Sequence, residues 1–241
     1  MKVVILQSNY LPWKGYFDLI NDADIFVFYD DVQYTKNDWR NRNRIYSKNG
    51  LHWLTIPIPK NAVKKKINEV VLPDHRWQQK HLNALTASYG KAPYFQEIKA
   101  LLDVVYTETT WRSLSTLNRY LIEEIAARLG CRTEFKEARS LDLSGGRVER
   151  VLGMLKQLNA SEYISGPSAR GYLEGSEHLF AEHQIKLTYK DYTGYPPYPQ
   201  WKTPFEHGVS ILDLIAHVSF ERAPYYIWGW RDSTWHRRTS T

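Results

Sequence analysis

Two apolar runs with a helix-patterned segment between them constrain this chain more than any other feature. "KVVILQ", residues 2–7, is continuously apolar up to Gln7, as expected of a strand buried on both faces. "SNYLPWKG" follows, with loop chemistry from Pro12 and Gly15. "WKGYFDLINDA" then sets Phe17, Leu19 and Ile20 at helical spacing. "DIFVFYDD" is a second strand of the buried type, ending in Asp30 and Asp31. Strand, loop, helix and strand in this order open a doubly wound α/β sheet. Such sheets bind ligands beyond the C-terminal ends of their strands, which here carry residues 7–13 and 30–33.

The rest of the chain continues this pattern around an insertion. "RNRNRIYS" and "LHWLTIPI" flank "KNG", a hairpin signal. "KNAVKKKINEVVLP" reads as a polar loop and then a strand at residues 70–72. Three helices are expected next. "DHRWQQKHLNALTASYG" is capped by Asp74 and closed by Gly90, and "YFQEIKALLDVVY" follows it. "TTWRSLSTLNRYLIEEIAARLG" is striped by Leu114, Leu117, Leu121, Ile125 and Leu129, with Thr110 as cap and Gly130 as stop. Further on, "VERVLGMLKQLNA" and "SILDLIAHVS" have helical patterns, and "EYISG" and "HQIKLTYKDY" strand patterns. The expectation is a single α/β domain over residues 1–241. Its Rossmann-like, mainly parallel sheet is flanked by helices, with an inserted antiparallel hairpin, a helical region and a flexible tail over 232–241.

Several function classes are disfavoured at once. Neither a GxxxxGK[ST] loop nor a GxGxxG turn follows the first strand, and no G-x-S-x-G elbow occurs. One cysteine, Cys131, rules out an internal disulfide framework and a cysteine-based zinc site. His75/His81 and His178/His183 lack the i, i+4 zinc spacing, so no metal site is expected. No segment approaches the roughly 20 apolar residues that span a bilayer, and the N-terminus lacks a signal-peptide pattern. A cytoplasmic protein is expected. The formal charge of +6 favours anionic partners without singling out nucleic acid.

The chemistry-bearing stretch is "DDVQYTKNDWRNRNR". On a strand, Arg40, Arg42 and Arg44 share one face, interleaved with Asn41 and Asn43, and guanidinium forks grip phosphate in bidentate fashion. Asp30, Asp31, Gln33, Lys36, Asn37 and Trp39 precede them in the ligand-facing loop. A solvated, charged hairpin edge is the alternative for the arginines. His81, in "QQKHLNAL", is a general-base candidate, although a lone helical histidine is more often structural. Asp213 sits among apolar residues, where a carboxylate needs a partner or a function. Ser165 precedes a glycine-containing loop, "GPSARGYL", and Tyr198 and Gln200 in "YPPYPQW" suit stacking and hydrogen bonding to a sugar or base. "WKGY" sits where nucleotidylyltransferases carry H-x-G-H, but aromatics replace both histidines, which argues against that activity.

"QSNYLPWKGYFDLI", "DDVQYTKNDWRNRNRI", "KHLNALTASYGKAPYF", "YISGPSARGYL", "YPQW" and "SILDLI" together resemble the WbqC-like protein family over nearly the whole chain. Ser8 departs from the family form, which commonly has Pro there. The resemblance implies a role in bacterial surface-polysaccharide synthesis, O-antigen included. It further implies an N-acyltransferase of aminoacyl or glycyl type, acting on the amine of a nucleotide-activated amino sugar. The donor would be a thioester on an acyl carrier protein or coenzyme A, with no tightly bound cofactor. On that basis Arg40, Arg42 and Arg44 hold a diphosphate, and Tyr10, Trp13 and Trp39 stack on base or sugar. Asp30 or Asp31 fixes the amine, His81 takes its proton, and Asn37 serves the oxyanion, with Gln7, Gln33, Lys36, Asn43, Ser165, Tyr198, Gln200 and Asp213 as further contacts. The partners expected are the nucleotide-linked amino sugar, a carrier protein and a second copy in a homodimer. The alternatives are a nucleotidylyltransferase relative and a protein that holds single-stranded nucleic acid by charge and stacking.

Overall fold

The computed structural model describes residues 1–235 of the chain. In chain order, β1 (Lys2–Leu6) leads through α1 (Lys14–Asp22) to β2 (Ile25–Phe28). The hairpin β3 (Arg42–Ser47) and β4 (Gly50–Thr55) is followed by α2 (Arg76–Tyr89), α3 (Phe95–Asp103) and α4 (Leu114–Arg128). The second half contributes β5 (Glu134–Glu137), α5 (Arg147–Gln157), β6 (Glu162–Ser165) and α6 (Arg170–Leu173). It closes with α7 (Glu177–Glu182), β7 (Lys186–Tyr189), α8 (Ile211–Val218) and α9 (Ala223–Ile227).

Five strands form one parallel sheet in the order β5-β2-β1-β6-β7. The chain moves outward from β1 to β2 to β5, then crosses back to place β6 and β7 on the other side of β1. The reversal of direction therefore falls between β1 and β6. Crossing loops leave the sheet on opposite sides there and open a crevice above the strand ends. Strand alternation separates two cores. Val4, Phe26, Phe28 and Ile164 pack with buried residues of α1, α3, α4 and α8. Val3, Ile5, Ile25, Val27 and Tyr163 pack with Val151, Leu155, Leu173 and Phe180 of α5, α6 and α7. Both faces are thus covered, which is why the first two strands are apolar throughout.

The hairpin forms as its turn chemistry predicts. Ser47 pairs with Gly50 across Lys48 and Asn49, and Gly50 takes a φ of +104° that favours glycine. Three elements differ from expectation. "EFKE" is the edge strand β5; Phe135 is its only apolar residue. Residues 70–72 supply only one bridge, Val71 to Ser113, after a 3₁₀ turn at Ile67–Glu69. Helix α4 starts at Leu114 with Ser113 as its cap, not Thr110, because the Trp111 indole donates to the Val105 carbonyl at 2.8 Å and holds the preceding residues out of the helix.

At the other end of the chain, Arg231 reaches the buried Asp18 carboxylate of α1 at 3.0 Å. Within the tail expected over 232–241, residues 232–235 form a turn in which the Trp235 N–H donates to the Asp232 carbonyl at 3.0 Å. Residues 236–241 lie outside the described residues. Among the described residues, no helix is long and apolar enough to cross a membrane.

Candidate functional site

A cleft of about 1190 Å³ opens above the C-terminal ends of β1, β2 and β6. Its floor is Ile5, Leu6 and Tyr163, with Gln7 at the end of β1 and Ser165 at the end of β6. Tyr29, Asp31, Val32 and Gln33 enter from the end of β2. The walls come from three segments: Lys64–Lys66, the start of α5 with Gly145 and Gly146 before it, and the loop into α6 carrying Gly166, Ser168 and Tyr172. Six cationic side chains line it (Arg40, Lys64, Lys65, Lys66, Arg147 and Arg150), against three carboxylates (Asp31, Asp38 and Glu69). A cleft of one predominant sign concentrates ions of the other, so this one draws anions.

Each wall has a physical reason for its place. Segment 64–66 is hydrogen-bonded to the loop after β2. The Tyr34 N–H donates to the Lys65 carbonyl, and the Ile67 N–H to the Val32 carbonyl, both at 2.9 Å. Helix α5 begins at the top of the sheet because it follows a strand and returns antiparallel to it. Its N-terminus has no side-chain cap and adds the positive end of the helix dipole to the cleft wall. The Arg147 guanidinium lies 3.7 Å from the centre of the Tyr172 ring, linking the walls of α5 and α6.

The two adjacent carboxylates have separate fates. Asp30 is buried and accepts from the Ser8 N–H (2.8 Å), the Ser8 hydroxyl (2.7 Å) and the Ser115 hydroxyl. It pins the loop after β1 to α4. Asp31 lines the cleft and accepts from the Asn68 amide at 2.9 Å. Ser8 therefore ties its loop to Asp30 through two donors, and a proline there could supply neither.

The three arginines also divide. Only Arg40 lines the cleft, held by the side-chain oxygens of Asn9 and, at 3.1 Å, Gln7, with Asp38 at 3.6 Å. It precedes β3, so strand alternation does not place it with Arg42 and Arg44. Arg42 donates to the Asn37 carbonyl at 2.6 Å and lies over the Trp53 ring at 4.3 Å. Arg44 donates to the Gly208 carbonyl at 2.8 and 3.0 Å and reaches Glu206 at 3.5 Å. Neither lines the cleft.

His81 stands apart from the cleft, at the edge of a second pocket of about 460 Å³. Its Nδ1 faces the Tyr10 hydroxyl at 2.8 Å and its Nε2 faces the Thr55 carbonyl at 3.2 Å. A carbonyl can only accept, so Nε2 carries the proton and Nδ1 accepts from Tyr10. Tyr106 completes the chain by bonding to Tyr10. Burial pushes the His81 pKa down to about 4, and the Thr55 carbonyl opposes this only in part. The ring is a neutral clamp between α2 and β4.

Of the remaining expected residues, Gln33 and Ser165 line the cleft and the others do not. Gln33 lines the cleft and donates to the Val63 carbonyl at 2.7 Å. Tyr10 is fully buried, and Trp13 is half-buried edge-on to Tyr192 and Tyr195, so neither offers a ring face to the cleft. Asn43 is buried, with its amide on the Tyr10 and Leu11 carbonyls. Lys36 and Asn37 are exposed near the rim, and Trp39 is exposed between Asp38 and Arg40. Tyr198 and Gln200 both donate to Asp213 at 2.7 Å, in a network inside the fold that Arg44 joins through Glu206. Burial raises the Asp213 pKa. Sequence reasoning passed over Lys64–Lys66, Arg147 and Arg150 as cleft residues. Their sequence signals are the "KKK" run and the Gly145-Gly146 pair before a helix.

The model of the WbqC-like protein family matches residues 7–225, which include every cleft wall. This chain belongs to the WbqC-like protein family. It is also similar to a protein from Mycobacterium tuberculosis (strain ATCC 25618 / H37Rv) named "Uncharacterized protein Rv1507c". The two are 45% identical over 227 residues, 94% of this chain and 97% of that protein. No solved structure matches this WbqC-like chain. The stretch resembling the family's opening motif supplies Gln7, its departure Ser8 bonds Asp30, and the second motif supplies Asp30, Asp31, Gln33 and Arg40.

Proposed function

We propose that this WbqC-like protein is an N-acyltransferase of aminoacyl type that acylates the amine of a nucleotide-linked amino sugar in polysaccharide synthesis. The observation that carries the proposal is the cationic cleft at the strand-order reversal. Arg40 and Lys64–Lys66 face it from one side and Arg147 and Arg150 from another. Guanidinium and ammonium groups on several walls suit a diphosphate, whose charge is spread over several oxygens. Its volume of about 1190 Å³ exceeds the roughly 300–1,000 Å³ usual for one small ligand, which supports an acceptor and a donor side by side.

In this mechanism the acceptor's diphosphate is held by Arg40 and the lysines, and its amine is turned to Asp31. The nitrogen attacks the thioester carbonyl of a carrier-protein or coenzyme A donor. The C–N bond forms, the C–S bond breaks, and Asp31 takes the amine proton and passes it to the departing thiolate. Asp31 has the base role rather than His81, because Asp31 lines the cleft and His81 has both nitrogens engaged elsewhere. A positioned base contributes about 10²–10⁴-fold to such a step.

The test is a mass-spectrometric assay of nucleotide-linked amino sugars with a panel of acyl-coenzyme A donors. An acylated sugar nucleotide is expected from wild type. Asp31→Asn should lower kcat about 100-fold, and Arg40→Ala should raise the acceptor KM about tenfold. His81→Gln should stay within a few-fold of wild type. Tight binding of oligonucleotides that falls steeply with salt, with none of the sugar nucleotides bound, would overturn the proposal in favour of a single-stranded nucleic-acid module. Pyrophosphate release from a nucleoside triphosphate would overturn it in favour of nucleotidyl transfer.

A further inference from the structure

Trp39 and Trp53 are 41% and 49% exposed, although indoles usually bury most of their area. Their rings stack on each other, with centroids 5.6 Å apart and planes 29° from parallel. The Arg42 guanidinium lies 4.3 Å from the centre of the Trp53 ring. This makes a ladder of three flat groups. Among the described residues Trp39 makes no second ring or cation contact, and it keeps 41% of its area open to solvent.

The ladder is held at the rim of the cleft. Asp38 and Arg40, on either side of Trp39 in sequence, both line the cleft. The backbone between them is tied down at three points. The Trp39 N–H donates to Asp38 at 2.7 Å, and the Tyr10 N–H donates to the Trp39 carbonyl at 2.9 Å. The Asn118 amide donates to the Arg40 carbonyl at 2.8 Å. A large apolar ring on rigid backbone beside a cationic cleft is a preorganised stacking surface.

Resting on the phosphate-binding role of the cleft given above, we infer that Trp39, backed by Trp53 and Arg42, stacks the base of a nucleotide whose phosphates lie in the cleft. A base is tethered to its phosphates by one ribose, and Trp39 is one residue from Arg40. The guanidinium behind the indoles adds a cation to the stack. The same chemistry serves two sources, the nucleotide of the sugar acceptor and the adenine of a coenzyme A donor.

Calorimetric titration of the full chain separates these cases. The ligands are uridine diphosphate, adenosine diphosphate, coenzyme A and inorganic pyrophosphate, against wild type, Trp39→Ala, Trp39→Phe and Arg40→Ala. Trp39→Ala should weaken nucleotide binding about tenfold or more, with pyrophosphate changed by less than about two-fold and Trp39→Phe intermediate. A loss confined to the uridine ligand assigns the base to the acceptor, and one confined to the adenine ligands assigns it to the donor. Nucleotide affinities unchanged in Trp39→Ala, with pyrophosphate bound and lost in Arg40→Ala, would overturn the platform and leave the cleft's role standing. An equal loss for pyrophosphate and nucleotides in Trp39→Ala would also overturn the platform. Absence of binding of every ligand to wild type would overturn both. A dimer in sedimentation that Trp39→Ala dissociates would assign the ladder to a second copy of the chain instead.

Discussion

Asp30 gathers the Ser8 N–H, the Ser8 hydroxyl and the Ser115 hydroxyl onto one buried carboxylate. Replacing it with alanine leaves buried donors unpaired, each worth about 1–3 kcal/mol. Asp30→Ala is therefore expected to lower the unfolding free energy by about 3 kcal/mol in urea, with an unchanged m-value. His81 predicts a pH dependence. Its pKa is about 4 in the folded chain and near the ordinary 6.5 when unfolded, so the unfolded chain takes up the proton first as pH falls. Stability should be full above about pH 6.5, fall towards pH 4 and then level off, with an upper bound near 3 kcal/mol. His81→Gln should flatten that part of a stability–pH curve; an unchanged slope would show that other groups cause it. At this scale the sequence was legible by residue type but not by partner. Arg40, Arg42 and Arg44 look equivalent in the chain. They differ because Arg40 lies before the strand, and because Asn37 and Gly208, distant or irregular in sequence, supply the carbonyls that hold the other two.

Among the elements, those carrying one dominant physical signal were the readable ones. β1 and β2 are apolar because both their faces are covered, and the Asn49-Gly50 pair marks the turn of β3 and β4. β5 was not readable, because an edge strand paired on one side only is free to carry Glu134, Lys136 and Glu137. Segment 60–69 likewise gets its shape from backbone bonds to the loop after β2, not from its own pattern. The entry to α5 yields a test. Gly145 has a φ of +88°, and a Cβ there would lie 2.8 Å from the Glu149 Cβ. Gly145→Ala must therefore adopt a disfavoured backbone and shift the first turn of α5, at a cost of about 1–2 kcal/mol. Because Gly145 lines the cleft, the same change is expected to weaken pyrophosphate binding. A variant as stable as wild type, with the same affinity, would show that this helix start is not a fixed wall.

Across the whole molecule, one buried carboxylate joins the first crossover, the last sheet strand and the C-terminal turn. Asp18 of α1 is fully buried, with Lys190 at 2.8 Å just after β7, Arg231 at 3.0 Å, and the Tyr195 hydroxyl at 2.5 Å. Lys190 also meets Asp22 at 2.6 Å, so the cluster holds two carboxylates and two cations. Nothing in "WGWRDSTWHRRTST" signals this closure, because Asp18 and Arg231 are separated by almost the whole chain and are paired only by the packing of α9 beside α1. Lys190 is 9% exposed at its side chain, so it cannot recover hydration if its partner is removed. Breaking such a buried pair costs about 3–5 kcal/mol, mostly through the charge left behind. Asp18→Asn keeps the shape, leaves Lys190 with Asp22 alone and Arg231 without its carboxylate, and is expected to lose about 3 kcal/mol. Adding Arg231→Met removes that stranded cation, so the double variant should be more stable than Asp18→Asn alone. Urea titrations of the two single variants and the double variant measure that coupling. Additive losses would mean that Arg231 is held by solvent rather than by Asp18, and that the C-terminal turn is not clamped to the sheet through this charge.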